Sequence, residues 1–439
     1  MDWLTFFNWI NEHIFALPTA VLFFGIALIL TIKTRFLQLR GFPHFIQLIT
    51  SGVRGKGKFD QTGEKRTINP FHALFTAMST TIGMGSVVGP SLAIMTGGPG
   101  ALFWLVVYIF FGSVTKFTEV AFALDTRIQM PDGRVIGGPM QYLKSVSNVL
   151  AKWYSVIMVF LFAGWSSLQS NTLATIFAQE GISEWVIGLS LAVLIWYTLQ
   201  GGAQRVGLIA SKLVPFMFCL YIVFSMLILF KDIPALLAAI RLVGKSVLTP
   251  SAAIGGFLGT TIFHAMRSGM YQGVYITESG LGTSSIAHAV ADTKSPTDQG
   301  ILAMYSGIAD IILSIVSGML TLVTGVWNYG EFRSTLVYEA FKLHAPAIGQ
   351  LALLLSISLF VLTTVIGNSF NGTQSFASLT KDRWVLSYRL FVCMIIFFGA
   401  LMPVPLVWAI MNTLLALVAI PNLIGILILA FKRPNVIKC

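Results

Sequence analysis

A chain of 439 residues that is 56% hydrophobic and only 10% charged, with a mean hydropathy of +0.81, is not a soluble domain, where about a quarter of residues carry charge. The formal net charge of +11 does not call for nucleic acid, because in a membrane protein the placement of Lys and Arg among loops matters more than their sum. Cys219 and Cys393 lie in apolar runs and Cys439 stands alone, so neither spacing nor position suggests a disulfide or a metal site, and they are expected to pack as small hydrophobes.

The first apolar run, 15–32, follows Asp2 and Glu12 rather than a basic stretch, so it is expected to remain as a helix and not to be cleaved as a signal peptide. Further runs long enough to cross about 30 Å of hydrocarbon lie near 70–96, 100–123, 153–179, 184–200, 206–230, 251–278, 299–327, 347–376, 386–402 and 406–431. The expected fold is therefore an all-α polytopic membrane protein of about eleven transmembrane helices. With Lys33 placed inside, the inner segments hold 21 Lys and Arg and the outer ones 5, leaving Lys116 and Arg267 within spans. The positive-inside rule then puts the N-terminus outside and the C-terminus in the cytoplasm.

The longest polar stretch, SGVRGKGKFDQTGEKRT from Ser51, contains Gly52-x4-Gly57-Lys58, close to a phosphate-binding loop. Phe59 stands where a Ser or Thr would hold magnesium, and no strand pattern precedes it, so it reads as a basic cytoplasmic loop beside anionic headgroups.

Two runs are interrupted. IGMGS (Ile82 to Ser86) breaks the second, and HAMRSGMYQG (His264 to Gly273) is the expected break in the seventh, five helices later. Unwound backbone at mid-membrane is tolerated only where it lines a cavity or bonds a ligand. A matched pair of breaks points to a transporter whose site lies between two inverted repeats of five helices, with the first helix as an accessory. The expected divisions are 1–69 (accessory helix and basic loop), 70–230 (first repeat), 231–432 (second repeat) and 433–439 (cytoplasmic tail). Half-helix N-termini favour a carboxylate and freed carbonyls favour a cation, so one site could hold a zwitterion and sodium together.

The motifs NPF at Asn69, IGMGSVVG, GGPGALFW at Gly97, KFTEV at Lys116, GGPM at Gly137, LQSNT at Leu168, KLVPFM at Lys212, ESGLGTSSIAHA at Glu278, TTVIG at Thr363 and IPNLI at Ile420 resemble the alanine or glycine:cation symporters. The resemblance covers about 69–432. It implies the fold of the neurotransmitter:sodium symporters, placement in the inner membrane of a prokaryote, and sodium-coupled uptake of alanine, D-alanine or glycine by a monomer in the bilayer. It implies no cofactor beyond Na+ as the coupling ion, and no nucleic-acid partner. Proton coupling, running through Asp310, Glu278 or His264, and a different small amino acid are the alternatives. A channel, a transporter-like sensor and a membrane enzyme are weaker rivals; the sequence has no HExxH and no GxSxG.

By the same resemblance, the carbonyls of Ser79, Ile82 and Phe360 and the hydroxyls of Thr363 and Thr364 would cage sodium, although Thr in a membrane helix also bonds back to its own carbonyls. Thr81 and the N–H groups of Gly83, Met84 and Gly85 would meet the substrate carboxylate. Gln169 and Asn171 would bind substrate or bridge helices, and Gly269 would leave room for a small side chain. Lys116 and Glu119, three apart on one helical face, are expected to pair. Asp310, Arg267 and Glu278 are candidates for gating or coupling. Met84, Ser86 and Asn412 depart from the family's usual Thr, Asn and Asp at their respective motifs, and Met84 and Ser86 are where this chain's own selectivity is expected to lie.

Overall fold

The computed structural model describes residues 2–51, 68–129, 135–247, 262–293, 295–329, 335–345, 347–381 and 383–438. The loop with the phosphate-loop resemblance, 52–67, and the first part of the seventh apolar run, 251–261, lie outside the described residues.

In chain order the helices are α1 Trp3–Ile10, α2 Ala16–Lys33, α3 Leu37–Arg40, α4 Phe42–Ser51, α5 Pro70–Thr81, α6 Met84–Gly97 and α7 Gly100–Asp125. A short antiparallel pair, Ile128–Gln129 with Val135–Ile136, leads to α8 Pro139–Tyr142. Then come α9 Asn148–Ala178, α10 Glu184–Leu199, α11 Gly202–Leu229, α12 Ile233–Ser246, α13 Ile262–Thr277 and α14 Thr283–Ala289. The last are α15 Pro296–Tyr305, α16 Gly307–Val323, α17 Leu336–His344, α18 Ile348–Thr380, α19 Val385–Ala400 and α20 Val404–Lys432. Each of the eleven apolar runs is mainly helical where it is described. Among the described residues seven helices are long and apolar enough to cross a membrane, and α10 and α19 are shorter apolar helices.

Local chemistry sets the ends. Asn69 caps α5 by accepting from the Phe71 N–H at 2.8 Å, and Pro70 occupies a first-turn position whose N–H has no helical partner anyway. Ser295 and Pro296 start α15 in the same way, the Ser295 hydroxyl accepting from the Asp298 N–H at 3.1 Å.

The expected first break is present. Helix α5 ends at Thr81, and Ile82 and Gly83 are unwound before α6. The Ser86 hydroxyl donates to the Thr81 carbonyl at 3.0 Å, satisfying one oxygen that the break frees. Pro90 lies inside α6 and cannot donate to the Ser86 carbonyl four residues back; the Ser317 hydroxyl of α16 lies 3.4 Å from that oxygen instead.

The second break is not at His264–Gly273, which α13 traverses as continuous helix. A Cβ on Gly269 would meet the Ala101 carbonyl and Leu105 amide of α7, and one on Gly273 would lie 2.7 Å from the Tyr108 ring. These glycines, four apart, let two helices approach closely, which costs the helix only about 1 kcal/mol per glycine. The break falls at Glu278–Gly282, where Glu278, Gly280 and Gly282 all take positive φ (57°, 93° and 77°) before α14 begins.

The interior is built by α7 running along α13, α9 along α18 and α20, and α5 wedged between α11 and α18. Both breaks are thereby surrounded by long helices.

Candidate functional site

A cavity of about 30 Å³ lies at the first break. Thr80, Thr81, Gly83, Met84 and Gly85 form one wall. The others come from Trp165 and Gln169 of α9, Tyr275 and Glu278 at the end of α13, Thr364 and Asn368 of α18, and Trp408 of α20. The Met84 N–H at the start of α6 donates to Gln169 Oε1 at 3.2 Å. An amide oxygen therefore occupies the position that helix-terminus chemistry offers to an anion. Asn368 Oδ1 and Trp165 Nε1 are buried with no hydrogen-bond partner among the described residues. Buried polar groups are normally paired, so such groups at a cavity wall point to an exchangeable occupant.

Gly83 is demanded by approach rather than by dihedral angle. Its backbone is extended, a conformation open to any residue, but a Cβ there would run into the Thr364 hydroxyl. Thr364 Oγ1 lies 3.5 Å from the Ile82 carbonyl, and Thr363 Oγ1 lies 3.1 Å from the Phe360 carbonyl and 2.9 Å from that of Leu359. Ser79 packs where α5 meets Gly367 of α18. Of the five expected sodium ligands, Ser79, Ile82 and Thr364 lie along the contact between α5 and α18, whereas the Thr363 hydroxyl also reaches Met217 Sδ of α11 at 3.4 Å and the Phe360 ring meets Tyr221 of α11. That donor set is neutral and oxygen-only, suited to a hard monovalent ion. No cluster of three His, Cys, Asp or Glu able to hold a metal occurs among the described residues.

Other expected residues are placed elsewhere. Asn171 does not line the cavity: its Nδ2 donates to the carbonyls of Gly399 and Met402 at 2.9 and 2.7 Å, tying α9 to the end of α19. On a helix, residues two apart face different ways, so Gln169 and Asn171 cannot share a site easily. Gly269 faces α7, not the cavity. Arg267 stands over the Tyr271 ring at 5.9 Å, and His264 lies beside the Thr96 carbonyl, both away from the cavity. Asp310 is buried in α16, and neither carboxylate oxygen has a hydrogen-bond partner among the described residues. Lys116 and Glu119 do not pair. Lys116 Nζ donates to Ser306 Oγ at 3.2 Å, one turn from Asp310, and Glu119 accepts from Asn422 Nδ2 at 2.7 Å.

Glu278, expected as a gate, lines the cavity itself and accepts from the Thr283 hydroxyl. The aromatic wall is absent from the sequence reading: Tyr275 and Trp408 rings meet at 5.3 Å, and the Tyr275 hydroxyl donates to Asn412 Oδ1 at 2.8 Å. Also absent is the wiring of the second break. The carbonyls of Ser279, Gly280 and Leu281 accept from Tyr108 at 2.9 Å, Asn422 at 2.8 Å and Tyr154 at 2.7 Å. Asn422 Oδ1 in turn accepts from the Tyr142 hydroxyl at 2.5 Å.

The model of the sodium:alanine symporter family matches residues 1–438. The sodium/alanine symporter AgcS of Methanococcus maripaludis is 31% identical over 98% of this chain and 95% of that protein. A probable sodium/glutamine symporter, GlnT of Bacillus subtilis, is 27% identical over 96% of this chain and 87% of that protein. Among solved structures, a Na+-coupled sialic acid symporter in a substrate-bound outward-open state superimposes with a TM-score of 0.59 at 12% identity, over 92% of this chain and 86% of that one. MhsT in complex with L-phenylalanine gives 0.57 at 12% identity, over 85% and 91%. At that identity the two structures speak for the fold alone.

Proposed function

The chain belongs to the sodium:alanine symporter family, and from that membership and the geometry of the cavity we propose that it imports a small neutral amino acid together with sodium by alternating access. Its family and relatives are transporters; the chain is an integral membrane transporter and not an enzyme. The observation that carries the finer reading is the polarity of one small cavity. The N–H groups that open α6 stand at one wall, the Glu278 carboxylate at another, and the Thr364–Ile82 oxygens beside them.

A zwitterion fits that arrangement. Its carboxylate would displace Gln169 Oε1 from the Met84 N–H, and its ammonium would turn toward Glu278. Sodium would sit among Ser79, Ile82, Phe360, Thr363 and Thr364, and the aromatic rings of Trp165, Tyr275 and Trp408 crowding the cavity favour alanine, D-alanine or glycine over larger side chains. Sodium drives closure only through unequal affinity for the open and closed arrangements. A sodium ligand set split between α5 and α18 supplies that inequality, because it is complete only when the two helices are together. The two breaks, one in 70–230 and one in 231–432, support the two-repeat organisation, and the charge bias supports an outside N-terminus in an inner membrane.

Glu278 at the cavity favours one second reading, in which the coupled ion is a proton carried by its carboxylate. Uptake of labelled alanine and glycine into proteoliposomes separates the two. The expected result is accumulation with an inward sodium gradient and none with a proton gradient alone; accumulation driven by protons without sodium would sink the sodium reading. Thr364→Ala is expected to raise the sodium concentration for half-maximal uptake about tenfold, the scale of one lost polar contact, with a smaller change in substrate affinity. An unchanged sodium dependence would remove Thr364 from the cage.

A further inference from the structure

A second, larger cavity of about 350 Å³ opens far from the first, between the α3–α4 segment, α7 and the α15–α16 pair. Leu39, Phe42, Phe110, Ile308 and Ile311 make most of its wall, and Gln38 adds a polar edge. Leu39, Phe42 and Ile308 are exposed at its mouth (61%, 46% and 39%), so the groove opens at an apolar part of the protein surface. Its size is that of ordinary ligand pockets.

The segment that forms its rim is basic. Arg35 and Arg40 are exposed and sit one to seven residues from the lining positions Gln38, Leu39 and Phe42. Arg40 Nε donates to the Arg35 carbonyl at 2.9 Å and its Nη2 lies 3.4 Å from that of Thr34, which holds the guanidinium at the corner after α2. Lys33 is spent over the Phe431 ring at 4.0 Å, and the neighbouring acid, Asp298, is held by His44 at 2.9 Å. The two arginines therefore lack a carboxylate partner among the described residues. The Tyr305 hydroxyl, donating to the Gln38 carbonyl at 3.0 Å, pins the segment against α15 so that rim and groove stay in register. Gln38 Nε2 donates to Thr31 Oγ1 at 3.2 Å, while its buried Oε1 has no partner among the described residues.

We infer that this groove is a binding site for one anionic glycerophospholipid of the phosphatidylglycerol class, with an acyl chain between Phe42 and Ile308 and the phosphate at Arg35 and Arg40. Apolar walls take the chain, the two guanidinium groups take the phosphate, and the headgroup hydroxyls offer the donor that Gln38 lacks. Clustered Lys and Arg beside a membrane helix recognise anionic headgroups by the same electrostatics. The site lies apart from the transport cavity, so its failure would leave the transport reading untouched.

The full chain purified in detergent is titrated with phosphatidylglycerol and with phosphatidylcholine of identical chains, and followed by thermal unfolding and native mass spectrometry. Phosphatidylglycerol is expected to raise the melting temperature more than phosphatidylcholine and to leave one retained lipid per chain. Ile308→Trp, or Leu39→Trp if the first does not fold, fills the groove and removes the retained lipid. Replacing Arg35 and Arg40 together by Gln is expected to shift the phosphatidylglycerol midpoint roughly 30-fold and leave the phosphatidylcholine response alone. Equal responses to both lipids, a phosphatidylglycerol response that survives the groove and arginine variants, or a lipid-free species of twice the mass would each overturn the assignment, the last by giving the groove to a second copy.

Discussion

The two helix breaks solve the same problem in opposite ways. Both free backbone groups in a place where water does not satisfy them. At Ile82–Gly83 the Thr81 carbonyl is taken locally by the Ser86 hydroxyl at 3.0 Å, while the groups at the cavity have longer contacts: the Met84 N–H reaches Gln169 at 3.2 Å, and the Ile82 carbonyl has the Thr364 hydroxyl at 3.5 Å. At Glu278–Gly282 three consecutive carbonyls are each taken at 2.7–2.9 Å by side chains from three different helices, α7, α20 and α9. Loose partners can be exchanged for a ligand, whereas tight ones hold a shape. On the proposed function the first break would be the one that is occupied and the second the one that is kept, with the Glu278 residue of the latter lining the cavity.

The comparison is tested most severely at Asn422. Its side chain donates to Glu119 and to the Gly280 carbonyl and accepts from Tyr142, all in the buried interior. Asn422→Ala strands a buried carboxylate, a carbonyl and a phenol together, and is expected to destabilise the fold by about 3–5 kcal/mol. A large fall in melting temperature is the expected readout; a fall no larger than that of a single tyrosine hydroxyl would mean the second break is not held by this hub. Gly83→Ala should act in the other direction. Its Cβ pushes on Thr364 and misplaces groups that must meet a ligand within tenths of an ångström, so uptake is expected to fall about 100-fold with little loss of melting temperature. Normal uptake by the Gly83 variant would sink the claim that the first break is ligand-facing.

Much of this was legible from the residues. Apolar run length located the helices, and IGMGS located the first break, because glycine beside small hydroxyl residues interrupts a run where α5 and α6 in fact separate. HAMRSGMYQG carries the same kind of signal but a different cause, close packing on α7, and a single chain does not distinguish the two. ESGLG held the better clue, since only a break needs three positive-φ residues at alternate positions. Gln169 and Asn171 could have been separated by helical geometry alone. The partners of Lys116 and Glu119 could not, because Ser306 and Asn422 are 190 and 303 residues away in the chain. Tyr275, Trp165 and Trp408 were illegible for a plainer reason: aromatic residues in apolar runs look like core until the fold puts them around a cavity.

The finest test concerns whether the second break is one network or three separate contacts. Tyr108→Phe and Tyr154→Phe each remove a single hydroxyl and leave one buried carbonyl, that of Ser279 or Leu281, without its donor. Each is expected to lower stability by about 1 kcal/mol, since the ring and its packing remain. Substrate affinity should hardly change, because neither ring lines the cavity. The double variant decides the matter. The two carbonyls flank Gly280, whose own oxygen accepts from Asn422, so loss of both donors leaves one of the three inter-helix bonds to these carbonyls in place. Coupling of at least about 0.5 kcal/mol beyond the sum of the single effects is then expected in a double-mutant cycle. Strict additivity would mean that positive φ at Glu278, Gly280 and Gly282 already fixes the backbone, and that the tyrosines only satisfy a shape set without them.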